Sequence, residues 1–144
     1  MKEKTKVQEN LSLIDTDILI FILKNNKSVI EKSQEYQQKL GRLKISDLTF
    51  YECLRGYKTS NATKKLEVFM KLTKLMDIIP LTQDIYTTAS EIYSKLYKKG
   101  FPTGEFDLLI AATALQNDLT IVTNNTRHFI RIKKYFDLKI NNWL

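Results

Sequence analysis

Residues 104–129 read GEFDLLIAATALQNDLTIVTNNTRHF, and this stretch decides the fold class. Asp107 opens an apolar, alanine-rich run in which Leu108, Leu109, Ala111, Ala112 and Leu115 predict a helix over 106–117. Residues 119–122 predict a buried strand that runs straight into the polar cluster Thr123-Asn124-Asn125. In an open α/β sheet, ligands bind beyond the carboxyl ends of the strands. The stretch thus offers a carboxylate and a polar loop where chemistry can occur. The small side chains of 111–114 let the helix press close to the sheet, which would hold Asp107 rigidly.

Upstream, the pattern of strand, then acid, then helix repeats. Leu11–Ile14 is an apolar run ending at Asp15, and 17–23 is an apolar helix stopped by Lys24-Asn25-Asn26-Lys27. A second helix over 29–40 ends at Gly41, a strand follows at 43–46, and Ser46 or Asp47 caps a helix that closes near Gly56. In that helix Leu48 and Tyr51 are expected to pack inward, with Glu52 and Thr49 on a neighbouring face. Residues 61–74 predict an amphipathic helix with Leu66, Phe69, Met70 and Leu72 inward. A strand over 76–81, a long helix from Thr82 or Asp84 to Lys99, a short turn or helix near 125–131 and a last strand at 138–140 complete the chain. Such alternation argues for right-handed crossovers and a parallel sheet covered on both faces.

The 144 residues suit one compact domain, with 1–10 as a flexible, solvated N-terminal extension and 11–144 as the folded unit. With 43% hydrophobic and 27% charged residues the composition is that of an ordinary globular domain. The start, MKEKTKVQEN, lacks the apolar core of a signal peptide, and no apolar run reaches the ~18 residues of a membrane span. The expected setting is cytoplasmic, without a membrane partner. A net charge of +7 suits an anionic partner such as nucleic acid, or solubility alone. The single cysteine, Cys53, excludes an internal disulfide and a cysteine-rich zinc site, and reads as a half-buried helix residue.

Each acid has an ordinary reading and a functional one. Asp15 is a site carboxylate or a plain helix cap. Glu52 is a site acid or a surface residue paired with Arg55 at i+3. Asp107 stands in the first helical turn, where acids are common, and Glu105 is a nearby second carboxylate. Thr123-Asn124-Asn125 is a water-orienting loop or a turn. Taken together, Asp15, Glu52 and Asp107 would converge at one edge of the sheet. Clustered carboxylates repel one another and have raised pKa values unless a cation neutralises them. Oxygen-only donors suit Mg²⁺ or Mn²⁺ rather than Zn²⁺. No phosphate-binding glycine motif is present.

The segments LIDTDIL (13–19), ISDLTFYECLRG (45–56), GEFDLLIAATAL (104–115) and IVTNNTRHF (121–129), with NNW at 141–143, make the chain resemble the PIN-domain nucleases and, among them, the VapC toxins of toxin–antitoxin pairs. The resemblance covers 11–143. It implies a three-layer α/β/α sandwich with a short central parallel sheet, and a magnesium- or manganese-dependent endoribonuclease. Asp15, Glu52 and Asp107 match the family's metal-binding acids. Asn125 falls at the fourth acidic position, where many members carry Asp and many of the VapC type carry Asn. Thr16, Asp17, Thr123 and Asn125 would orient water or the scissile phosphate, Asp17 standing where Asn is frequent. Arg55 and Arg127 would bind the RNA backbone, and His128 would pack or line a loop, a general acid being the alternative. The implied partners are RNA, a VapB-like antitoxin peptide covering the cleft, and a second copy in a homodimer. Alternatives are a PIN-fold nuclease of RNA processing and a non-catalytic binding module. A response-regulator-like domain also holds Mg²⁺ at strand ends, but Asp47 lacks the accompanying acidic pair.

Overall fold

The computed structural model describes residues 10–144. The extension expected over 1–10 lies outside the described residues except for Asn10. Strand β1 (Ser12–Ile14) leads into helices α1 (Thr16–Leu23) and α2 (Lys27–Leu40). Strand β2 (Lys44–Ser46) leads into α3 (Asp47–Thr59) and α4 (Thr63–Thr73). Strand β3 (Asp77–Ile79) precedes α5 (Gln83–Lys98) and α6 (Glu105–Gln116), and β4 (Thr120–Val122) precedes α7 (Thr126–Tyr135) and β5 (Ile140–Asn141). The strands form one parallel sheet in the order β3-β2-β1-β4-β5.

Both faces of the sheet are covered, which is why its strands are apolar runs rather than alternating ones. In the central pair, Leu13 lies opposite Ile121 and Ile14 opposite Val122. Successive side chains point to opposite faces. Leu13 and Ile121 join Ile92 and Leu96 of α5, Ala111 and Ala112 of α6, and Phe129 and Ile132 of α7 in one core. Ile14 and Val122 join Ile18 and Leu19 of α1, Val29 of α2, Cys53 of α3 and Phe69 of α4 in the other. The result is the α/β/α sandwich that the resemblance implied. Burying each such Leu, Ile, Val or Phe side chain is worth about 1.5–3 kcal/mol before conformational entropy is set against it. The C-terminus is stitched to the second core, where the Trp143 ring meets Tyr36 with centroids 5.9 Å apart and the Trp143 carbonyl accepts a hydrogen bond from Ser28 Oγ at 2.8 Å.

Several boundaries follow local chemistry that pattern reading had only approximated. Gly41 ends α2 at φ 90°, a left-handed conformation that favours glycine. Gly56 does not end α3. The helix continues to Thr59 and is capped at Ser60, whose Oγ donates to the Gly56 carbonyl at 2.9 Å. Ser46, rather than Asp47, caps the start of α3 by accepting from the Leu48 N–H at 3.1 Å. Tyr51 is 52% exposed, against the inward packing expected, because α3 buries the stripe of Thr49 and Cys53 instead. Met70 is likewise exposed on α4. The short turn or helix expected near 125–131 is a helix and runs on to Tyr135, with Phe129 and Ile132 spaced to bury one face. Among the described residues no helix is long and apolar enough to cross a membrane.

Candidate active site

The strand order creates the site. The chain steps outward from β1 to β2 and β3, then returns across β1 to lay down β4 on its other side. The crevice beyond the carboxyl ends of β1 and β4 is therefore a topological switch point. Asp15 follows β1 and Thr123 follows β4. The pairing continues through both, with the Asp15 N–H donating to the Val122 carbonyl at 2.9 Å and the Thr123 N–H to the Asn141 carbonyl at 2.9 Å.

Asp15 serves as both helix cap and site residue. Its Oδ1 accepts from the Thr16 N–H at 2.8 Å, capping α1, while its Oδ2 accepts from Thr123 Oγ1 at 2.8 Å. Thr123 Oγ1 in turn accepts from the Asn125 N–H at 3.0 Å. Asp17 reaches the same loop, its Oδ1 taking the Ile18 N–H at 2.8 Å and its Oδ2 the Asn124 N–H at 2.9 Å. Asn142 Nδ2 donates to Asn124 Oδ1 at 3.1 Å, so the C-terminal segment also braces the loop. Thr16 Oγ1 donates to the buried Thr49 Oγ1 at 3.1 Å, tying α1 to α3 one turn before Glu52.

Asp107 enters from the first turn of α6, whose Ala111, Ala112 and Ala114 are fully buried. Its Oδ2 lies 3.0 Å from His128 Nδ1 on α7. Here the structure corrects the reading of His128 as a packing or loop-lining residue. With 42% of its side chain exposed, it faces a site carboxylate. Proximity in sequence gave no hint of this contact. The available signal was a histidine in the first turn of a helix that leaves a site loop.

Electrostatics mark the cluster. Burial, above all, pushes the Asp15 carboxyl from 3.8 up to about 6; the charge of Asp17 adds to this, the hydrogen bonds from Thr123 and Thr16 oppose it, and Asp107 adds a further rise. The Asp107 carboxyl is also raised, chiefly by burial; His128 pulls it down through charge and hydrogen bond, while Glu52 and Asp17 push it up. Asp15, Asp17, Asp107 and Glu52 thus feel one another across the switch point. Among the described residues no Lys or Arg forms an ion pair with any of them. Glu52, half-buried, does not pair with Arg55, whose guanidinium lies over the rings of Tyr51 and Phe106. Asn125 is exposed and enters the network through its backbone. Arg127 is exposed on the first turn of α7 and has no hydrogen bond or ion pair with these carboxylates.

Comparison with known proteins identifies the family of the chain. Residues 12–135 match the PIN domain family model. The chain is 31% identical over 140 residues to "Ribonuclease VapC1" of Methanocaldococcus jannaschii, covering 97% of this chain and 93% of the relative. It is 32% identical to the "tRNA(fMet)-specific endonuclease VapC" of Shigella flexneri, covering 83% and 90% of the two chains. Among solved structures, that of DNA-bound VapBC from Salmonella typhimurium superposes with a TM-score of 0.81 at 28% identity, over 92% of this chain and 97% of the other. The chain belongs to the PIN-domain family, as a VapC-like member.

Proposed function

We propose that this protein is a divalent-metal-dependent endoribonuclease that hydrolyses RNA phosphodiester bonds, and that it is the toxin of a pair with a VapB-like antitoxin. The observation that carries the reading is the set of four carboxylates at the switch point, with Asp15 buried and its pKa raised, and with no Lys or Arg ion-paired to them among the described residues. Such a set is costly to keep charged unless a cation offsets it. The donors are all oxygens, which suits a hard cation. Among the described residues no three His, Cys, Asp or Glu side chains close on a common point. That fits Mg²⁺ or Mn²⁺, which keep several waters and need only one or two carboxylates directly. Asp15, Asp107 and Glu52 would hold the ion, directly or through its waters, with Asp17 adding negative charge from α1. When bound, it would supply a more acidic water and offset charge on the phosphoryl oxygens.

The chain's own groups do the positioning. Asp15 has one oxygen fixed by the Thr16 N–H and the other by Thr123, so its remaining lone pairs have a defined direction. Asp17 holds the 123–125 loop against α1 and Asn142 holds it against the C-terminal segment, and Thr16, Asp17, Thr123 and Asn125 would orient water or the scissile phosphate. His128 orients Asp107 and keeps it ionised to lower pH than burial alone would allow. Arg55 and Arg127, on the rim, would meet the RNA backbone.

An apolar groove of about 250 Å³ supports the partner assignment. Ile20 and Leu23 of α1, Tyr57 of α3 and Val68 of α4 line it, with Lys24, Lys64 and Lys65 also at the groove. An amphipathic helix with acidic flanks would fit such a surface. The reading is tested by incubating the protein with tRNAs and rRNA, with and without Mg²⁺, beside Asp107→Asn. Metal-dependent cleavage by the wild type alone is expected. Toxicity on expression, relieved by the product of a small neighbouring gene, would separate a toxin from an RNA-processing nuclease. Growth unaffected by an active enzyme would remove the toxin assignment.

A further inference from the structure

Two of the four acids have an aromatic residue immediately before them. Tyr51 precedes Glu52 on α3 and Phe106 precedes Asp107 on α6. The Arg55 guanidinium lies 5.2 Å from the Tyr51 ring centroid and 5.0 Å from that of Phe106. Tyr51 is 52% exposed, Arg55 is exposed and Phe106 half-buried, so the three are not a core contact. Arg55 forms no ion pair among the described residues, although Glu52 stands three residues away. Two helices thus hold a planar cation over two aromatic rings, each ring on the residue next to a site acid.

Exposed aromatic faces combined with a guanidinium bind unpaired nucleobases by stacking while the charge draws the phosphate backbone. A base inside an A-form stem is already stacked on its neighbours and cannot use such a surface. We infer that Tyr51, Arg55 and Phe106 form a stacking platform for one unpaired base flanking the scissile phosphate. This inference deepens the endoribonuclease reading and rests on it. Tyr51 and Phe106 would then be substrate-positioning residues, and Arg55 would stack as well as pair with phosphate.

The test uses the full chain and a short single-stranded RNA that the wild type cleaves at one bond. Affinity is measured with Asp107→Asn, using the intact RNA and a series in which one abasic residue is moved along the strand. One abasic position next to the cleaved bond is expected to weaken binding about tenfold, as loss of a stacked base does. Adding Tyr51→Ala should weaken intact RNA by a similar factor and erase the effect of that abasic position, while Tyr51→Phe should preserve both. The same RNA closed into a duplex should be cleaved far more slowly. If the wild type cleaves but Tyr51→Ala binds and cleaves as it does, or weakens only binding of a protein partner, the platform is wrong and the nuclease reading stands. If no RNA is cleaved with Mg²⁺ or Mn²⁺, the nuclease reading fails and takes with it the placement beside a scissile bond.

Discussion

Replacing Asp15 by Asn should stabilise the metal-free protein, and increasingly so as pH rises. The Asp15 carboxyl is raised from 3.8 to about 6 in the folded state. The folded protein therefore holds its proton more tightly than the unfolded chain does. The stabilisation this gives is fully present below the unfolded pKa and is lost as pH rises through the folded one. At about 1.4 kcal/mol per pKa unit, the loss is on the order of 3 kcal/mol by neutral pH. Asn has no such titration and caps a helix as well as Asp. Its oxygen can accept from the Thr16 N–H, and its amide can donate to Thr123 Oγ1, which rotates to suit. The stability gap between Asp15→Asn and the wild type should thus grow by about 3 kcal/mol between pH ~4 and pH ~8, or roughly 10 °C in melting temperature. Urea denaturation of both proteins in EDTA measures it, and groups that titrate equally in both cancel. Added Mg²⁺ should narrow the gap by stabilising only the wild type. A gap independent of pH, or one that shrinks as pH rises, would refute the claim that an uncompensated buried charge stands at the switch point.

Other groups give independent checks. His128→Ala removes the contact that holds the Asp107 carboxyl down, so the acid limb of the pH–rate profile for RNA cleavage should move to higher pH; an unmoved limb would mean that Asp107 does not need His128 to stay ionised. Gly56→Ala should raise stability by up to about 1 kcal/mol, because Gly56 lies inside α3 and nothing stands within 4 Å of an added Cβ; destabilisation in chemical denaturation would contradict this. Cys53, whose thiol burial pushes up to about 12, with Glu52 adding to the rise, should react with a thiol reagent in the native state far more slowly than in urea, and equal rates would show that it is accessible.

The fold was legible in the sequence where a single physical rule dominates. Buried parallel strands are short apolar runs, and 119–122 and 11–14 could be read as strands because nothing else in the chain explains apolar runs ending in Thr123 and Asp15. Asp15 was legible as an acid beyond a strand end, Asp107 as one in a first helical turn and Asp17 as an added carboxylate, whereas Glu52, in the second turn of α3, stood out only beside Thr49 on one side of that helix. Glycine misled at position 56, since a mid-helix glycine differs from a terminal one only through the tertiary contacts that decide where the helix stops. Tyr51 misled because an aromatic residue on a helix is expected inward, whereas α3 turns Thr49 and Cys53 to the core. The contact of His128 with Asp107 joins α7 to α6 across the crevice, and no local period encodes it. The same holds for Asn142, which meets Asn124 only because β5 pairs beside β4.

Whether the carboxylates at the switch point carry a divalent cation used to cut RNA is decided by one cleavage assay. Wild type, Asp15→Ala and Asp107→Asn are compared on the same RNA in Mg²⁺ and in EDTA, with circular dichroism confirming the fold of each and the product ends analysed. Cleavage by the wild type only, in Mg²⁺ only and without cyclic phosphate ends, is the expected result. Cleavage that persists in a folded Asp15→Ala preparation, or in EDTA with cyclic phosphate ends, would contradict it.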